Sequence, residues 1–427
     1  MLTRSERRFC ARAFRSVVAV LIVAGYCSGR SAGSNLFADD SNTKDHSQQG
    51  DWSTKPGFRQ CNVLLVDGAV QNQKTRLLLD TGAATTVLNS AIMTDSPITN
   101  LEMQRVFVGS RTSMARRRDS VTVECLGFAT RELNVLEMDL RSLSQFAGQE
   151  IGAVVGMDVL GTRVLSIGED GPEFTSTLPH TFRDEVGKQL HFSGAIPMLP
   201  LELPVLGVRE FKVDTGLNGY LLVTTQFAKF MMKSGTAVPL GTTDVADASD
   251  IRLSRRILIQ KITFLGKALE NVPAVVSEIN CIGMLLLDRF PIALDFPNKR
   301  YYVKPISPTH IEEFPVSASG VGYVFRTSKS LFVETVEGNS PGAEAGIRVG
   351  DEILSLEGKS PLEFSRKDIQ MLFAQAGETV HLGMKRDGEP FDVELILRHD
   401  FEYPPKWSTA PSNTNDFQDW LEHQGKE

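Results

Sequence analysis

Leu77-Leu78-Leu79-Asp80-Thr81-Gly82-Ala83 reads as a short apolar strand running into a tight turn, with an acid at the turn and a glycine that lets the chain reverse. The pattern recurs as Phe211-Lys212-Val213-Asp214-Thr215-Gly216-Leu217. One Asp-Thr-Gly is a weak signal, because three common residues often meet by chance. Two copies with matched surroundings are much stronger. Val154-Val155-Gly156-Met157-Asp158-Val159-Leu160 follows the first acid, with its glycine 76 residues on (156 − 80). Cys281-Ile282-Gly283-Met284-Leu285-Leu286-Leu287 follows the second, with its glycine 69 residues on (283 − 214). An acid turn followed by apolar-apolar-Gly-Met-x-x-Leu is therefore laid out twice. This internal duplication makes Asp80 and Asp214 equivalent partners across a pseudo-two-fold axis.

The paired segments resemble the aspartic proteases of the pepsin and retropepsin type. Leu79 through Leu88 is similar to the retroviral pattern, Val213 through Leu221 to small bacterial retropepsin-like proteins, and Asp288 through Arg300 to the closing strand of that family. The resemblance spans roughly residues 57–305. It implies a mainly β, bilobal fold of acid-protease-type barrels and an endopeptidase in which Asp80 and Asp214 hydrolyse peptide bonds through one activated water. Two close carboxyls cannot both ionise, so one proton is shared, one group acting as base and the other as acid. Which group takes which role stays open. By the same resemblance Thr81 and Thr215 lock the turns together, Gly82 and Gly216 give the backbone room, and Gly156 and Gly283 let the later segments pack behind them. Two positions depart from the pattern: Leu217 stands where Ser, Thr or Ala is usual, and no Tyr lies between Tyr26 and Tyr220 to serve as a flap tyrosine. Asp158 and Asp295 read as structural acids. A second reading keeps the fold as a non-catalytic exported scaffold that binds peptides, and a third pairs lobes between two chains.

Ser340-Pro341-Gly342-Ala343-Glu344-Ala345-Gly346-Ile347-Arg348-Val349-Gly350-Asp351-Glu352-Ile353-Leu354 resembles a bacterial-type PDZ domain. Ser355 through Lys359 reads as its hairpin, Phe364 to Ala374 as the groove-lining helix, and Val380 to Leu397 as closing strands. The resemblance places a carboxylate-binding loop at Gly320, Val321, Gly322, Tyr323 and Val324, where a peptide C-terminus would add as an extra strand. Gly338-Asn339-Ser340-Pro341-Gly342 superficially resembles a serine nucleophile turn, but it lies inside the PDZ signature with no His placed as a base.

The 427 residues suffice for two or three domains. Lobes are expected at 57–180 and 195–306 and a small α+β PDZ domain at 318–400, with linkers at 39–56 and 307–317 and a polar tail at 401–427. Within the first lobe, Cys61 through Val66, Asp67-Gly68 and Thr75 through Leu79 read as a hairpin delivering Asp80, and Val106 through Ser110 as a covering flap. Residues 1–38 read as a signal peptide, with Arg4, Arg7, Arg8, Arg12 and Arg15 ahead of a short apolar run from Val17 to Gly25. That run is too short to span a bilayer comfortably, which points to an exported protein without a membrane span once the leader is removed. A net charge of −7 and the lack of a basic, aromatic-laced face argue against nucleic acid, leaving protein or peptide partners. Seven scattered His give no metal spacing, no Gly-rich phosphate loop is present, and no cofactor is expected. Outside the leader, Cys61, Cys125 and Cys281 read as buried thiols, with a Cys61–Cys125 pair as the alternative.

Overall fold

The computed structural model describes residues 17–19, 23–24, 63–92, 103–108, 111–147, 150–168, 171–246, 251–305, 314, 316–327, 330–364 and 366–399. Apart from the short strands Val17–Ala19 and Val23–Ala24, the expected leader lies outside the described residues. So do Cys61, the 39–56 linker, the flap tip at 109–110, most of the 307–317 linker and the tail after Phe401.

The hairpin that delivers Asp80 joins strands Leu64–Val70 and Gln73–Leu79. Leu64, Val66, Val70, Leu77 and Leu79 enter one core, while Val63, Leu65 and Leu78 enter another. Alternate residues thus bury both faces, which explains the nearly unbroken apolar runs. The turn itself falls at Gln71 and Asn72, both with positive φ (50° and 66°). Asp67-Gly68 is instead inside the strand. A Cβ on Gly68 would lie 2.4 Å from the Glu124 carbonyl oxygen, so this glycine serves a close strand approach rather than a reversal.

The strand Gln73–Leu79 pairs in parallel with Ile151–Val155. Long strands Arg111–Cys125 and Phe128–Met138 complete the first lobe's sheet, and Met103–Val108 pairs with Arg111–Cys125 in the region expected to form a flap. The second lobe repeats this plan. Strand Gly207–Asp214 pairs in parallel with Cys281–Gly283, flanked by Leu221–Thr224, Ile251–Phe264 and Lys267–Ser277. The helix Thr225–Lys233, capped by the Thr224 hydroxyl, buries Ala228, Phe230 and Met231.

The lobes are stitched by a shared sheet. Val164–Gly168 of the first lobe pairs with Ile292–Asp295 of the second, which continues through Arg300–Val303. Residues of both lobes contribute to one large apolar core.

The C-terminal unit is a five-stranded antiparallel sheet in the order Val321–Thr327, Ser330–Val336, Glu352–Leu356, Thr379–Arg386, Glu389–Ile396, with the helix Arg366–Leu372. The Gly350-Asp351 turn has a physical reason. Buried Asp351 accepts from the Arg348 amide at 2.7 Å and from the Arg386 guanidinium at 2.7 and 2.8 Å. The molecule is mainly β, with barrel-like lobes and a C-terminal PDZ domain. Among the described residues, no helix is long and apolar enough to cross a membrane.

Candidate functional site

The duplicated turns meet where the lobes touch. Each threonine hydroxyl is built into the opposite lobe. The Thr81 hydroxyl donates to the Val213 carbonyl at 2.8 Å and accepts from the Thr215 amide at 3.2 Å. The Thr215 hydroxyl donates to the Leu79 carbonyl at 2.8 Å and accepts from the Thr81 amide at 3.0 Å. Both threonines are fully buried, so these four bonds satisfy groups that water cannot reach.

This lock sets Asp80 and Asp214 face to face. Each glycine of one turn lies under the acid of the other. A Cβ on Gly82 would fall 2.7 Å from Asp214 Cγ, and one on Gly216 would fall 2.7 Å from Asp80 Cγ. Any larger residue would push the carboxyls out. Gly156 and Gly283 stand behind in equivalent places, a Cβ there meeting the Ala83 carbonyl oxygen at 2.8 Å and that of Gly219 at 2.3 Å. Met157 and Met284, the next residues, donate their amides to the carbonyls of Ala83 and Leu217 at 2.8 and 2.9 Å.

Both acids are fully buried. The Gly82 amide donates to Asp80 Oδ1 at 2.7 Å, while Asp80 Oδ2 and both Asp214 oxygens lack a well-formed bond from a protein donor. Contact between two carboxyls becomes a hydrogen bond only when one carries a proton. Burial, and then the charge of Asp214, push Asp80 well above the ordinary carboxyl range. Burial pushes Asp214 up to about 7, against the stabilising pull of Asp80 and the Gly216 and Leu217 amides. The pair therefore keeps a proton where ordinary carboxyls have lost theirs, and it titrates as a unit. A half-ionised pair can donate a hydrogen to one atom of a bound group while accepting one from another.

The buttresses behind the two turns differ. In the first lobe, buried Thr86 donates its amide (2.8 Å) and hydroxyl (2.7 Å) to Asp158, and accepts from the Gly156 amide at 3.1 Å. Burial raises Asp158 against those bonds. In the second lobe Tyr220 and Leu285 hold these positions, and the Gly283 amide donates to the Tyr220 carbonyl at 3.0 Å instead. Tyr220 packs edge-on against Phe314, with ring centroids 5.0 Å apart. Sequence reasoning passed over Phe314, and the sign of it was an aromatic residue directly after Glu312 and Glu313 in the linker. Asp295 is a turn residue, accepting from the Asn298 amide and side chain. Cys125 and Cys281 are free, buried thiols, and burial raises both. Among the described residues, no group of three or more His, Cys, Asp or Glu side chains could hold a metal.

The second predicted site lies apart, in the PDZ unit. Gly320 has φ +64°, and a Cβ there would meet Ser340 Cβ at 2.1 Å. Its carbonyl accepts from the Glu337 amide, and the Ser319 hydroxyl accepts from the Val321 amide. Val321 is buried, while Gly322 and Tyr323 are half-buried and Tyr323 packs 5.7 Å from Phe373, just beyond the helix Arg366–Leu372. Val324 lies in the same strand, but its side chain is outside the described set. That strand ends the sheet, leaving one edge without a neighbouring strand among the described residues. Ser340 is a helix cap: its hydroxyl accepts from the Ala343 amide and donates to the Glu337 carbonyl.

The PDZ family matches residues 332–386. The chain is similar to the periplasmic serine endoprotease DegP of Escherichia coli (strain K12), 39% identical over 146 residues, which is 31% of each chain. DegP of Salmonella typhimurium is 28% identical over 146 residues, 31% of this chain and 30% of that one. The periplasmic pH-dependent serine endoprotease DegQ of Escherichia coli (strain K12) is 36% identical over 69 residues, 16% of this chain and 15% of that one. The chain thus spans less than a third of the length of these curated relatives.

These comparisons correct one expectation. The relatives are serine endoproteases, which overturns the assignment to an aspartic-type, retropepsin-like endopeptidase working through an Asp80/Asp214 dyad and an activated water. The physical reason is that Asp-Thr-Gly turns backed by glycine segments report a close backbone approach, and fold-level likeness does not fix a reaction. The PDZ expectation fits the comparisons.

Proposed function

We propose that the protein processes polypeptides in an exported compartment, as a peptide-bond hydrolase whose PDZ domain holds the polypeptide. The observation that carries this reading is the pairing of a PDZ family match with similarity to periplasmic endoproteases. The edge of Val321–Thr327, without a neighbouring strand among the described residues, supports it: an extended chain can add there as another strand, its C-terminal carboxylate meeting the loop at Gly320 through Val324. Within the two-lobed body, Asp80 and Asp214, with Thr81, Gly82, Gly156, Thr215, Gly216 and Gly283 around them, form the proposed functional site. Its role in this reading is to hold one proton at the seam between the lobes.

The test incubates an unfolded polypeptide with the full-length protein between pH 4 and 8, beside Asp80→Asn, Asp214→Asn and a variant with Gly320→Val. Cleavage is expected from the wild type, with weaker cleavage when Gly320 is replaced, and the acid variants report whether the carboxyl pair contributes to it. A fluorophosphonate label reports whether a serine hydroxyl makes the attack. A wild type that yields no fragments at any pH overturns the hydrolase reading, and acid variants of undiminished activity remove the pair from the site.

A further inference from the structure

We infer that Phe314, in the segment leading to the PDZ domain, is a positioning residue for the Asp214 turn, so that this segment completes the second half of the carboxyl site. The inference rests on the pair being the functional site.

The starting point is a broken symmetry. Thr86 and Tyr220 each stand six residues beyond their acid (86 against 80, 220 against 214), and Asp158 and Leu285 each stand two beyond the backing glycine. The first lobe closes this corner with its own hydrogen bonds. Leu285 has no side-chain acceptor to match the Asp158 carboxylate, and the Gly283 amide donates to the Tyr220 backbone carbonyl instead. Phe314 packs against this corner. It is only 1% exposed and belongs to the large core shared by both lobes. Its ring meets Tyr220 edge-on, and the Arg289 guanidinium lies 4.4 Å from its centroid and 5.5 Å from that of Tyr220.

From Phe314 the contact reaches the acid in two steps. The Tyr220 carbonyl accepts from the Gly283 amide, and Gly283 is the register partner of Asp214. The chain beyond Phe314 is pinned as well. Val316 packs with Leu240 and Leu258 of the second lobe, and the Ala318 amide donates to the Phe373 carbonyl of the PDZ unit. Arg256 of the second lobe pairs with Glu337 beside the Gly320 loop at 2.5 Å. Six residues separate Phe314 from Gly320, an extended reach of about 20 Å at most.

The test measures the titration of the pair by carboxyl carbon NMR in full-length protein, comparing wild type, Phe314→Ala, Phe314→Leu and Val316→Ala. Lys212 and Cys281 are the other titratable groups whose fields couple to the pair, and all four proteins keep them. With the buttress gone, water reaches the turn and desolvation weakens. Phe314→Ala is expected to move the pair's titration toward acid by about one pH unit or more, and Phe314→Leu by less. Val316→Ala, which removes linker packing away from Tyr220, leaves the titration in place. An unmoved titration in Phe314→Ala overturns the inference; should that variant fail to fold, an unmoved titration in Phe314→Leu does so. The reading beneath it fails separately, by a wild type in which both acids titrate in the ordinary range.

Discussion

Thr86 and Tyr220 occupy the same place in the two lobes and do different chemistry there. Thr86 ties its corner together with three hydrogen bonds inside one lobe, whereas Tyr220 leans on an aromatic ring supplied by a segment beyond both lobes. The turns in front of them are nearly interchangeable: each threonine bonds across the interface, and each glycine lies under the opposite acid. The two lobes thus share the contacts made across their seam and differ in the corners behind it. The corner behind the first acid is closed within its own lobe. The corner behind the second acid packs against Phe314 of the chain that leads to the PDZ domain.

The contacts common to both lobes are the ones whose loss matters most. Replacing Thr81 or Thr215 by Val leaves a buried carbonyl and a buried amide without partners. Each single variant is expected to lose about 2–6 kcal/mol in denaturant unfolding, at about 1–3 kcal/mol for each of the two orphaned groups. Losses that differ strongly between the two would break the symmetry of the lock. The carboxyl pair should come next. Asp214 has an ordinary value of 3.8 in the open chain and about 7 in the fold, so between those values the folded protein keeps a proton that the unfolded chain has released. Stability is therefore full below the lower value and falls as pH rises through the window, on the order of 1.4 kcal/mol per pH unit. Asp214→Asn should flatten that slope, and a slope unchanged in the variant would contradict the electrostatics.

Smaller effects sharpen the contrast between the corners. Thr86→Val removes the hydroxyl that Gly156 donates to and is expected to cost about 1–3 kcal/mol. Tyr220→Leu removes an aromatic pair whose geometry adds about 0.5–1.5 kcal/mol beyond buried area. Only the second should respond to Phe314→Ala, which a double-mutant cycle measures. The smallest effect belongs to Glu337→Gln, which breaks a partly exposed ion pair and should change stability by no more than about 1 kcal/mol.

Much of this plan was legible in the chain. The duplicated acid turns marked the two-fold, because only a few residue types fit a tight turn at a close backbone approach, and the Ser340–Leu354 run marked the PDZ unit by its resemblance to that family's signature. Other features needed three dimensions. Asp67-Gly68 looked like a turn, yet Gly68 is small because Glu124 crosses it, a long-range cause invisible in local sequence. Phe314 was hidden because one aromatic residue in a short linker carries no periodicity. The catalytic class was the plainest miss: the turn tripeptides specify backbone packing, whereas the relatives are serine endoproteases.

Everything particular to the body of this protein follows from two buried acids close enough to hold one proton between them. Carbon NMR of the Asp80 and Asp214 carboxyls across pH 3 to 9, in the wild type and in Asp80→Asn, tests that directly. The expected result is a pair that titrates in two separated steps, with a proton retained to about pH 7 and the coupling abolished in the variant. Two independent titrations near the ordinary value of about 3.9 would contradict it.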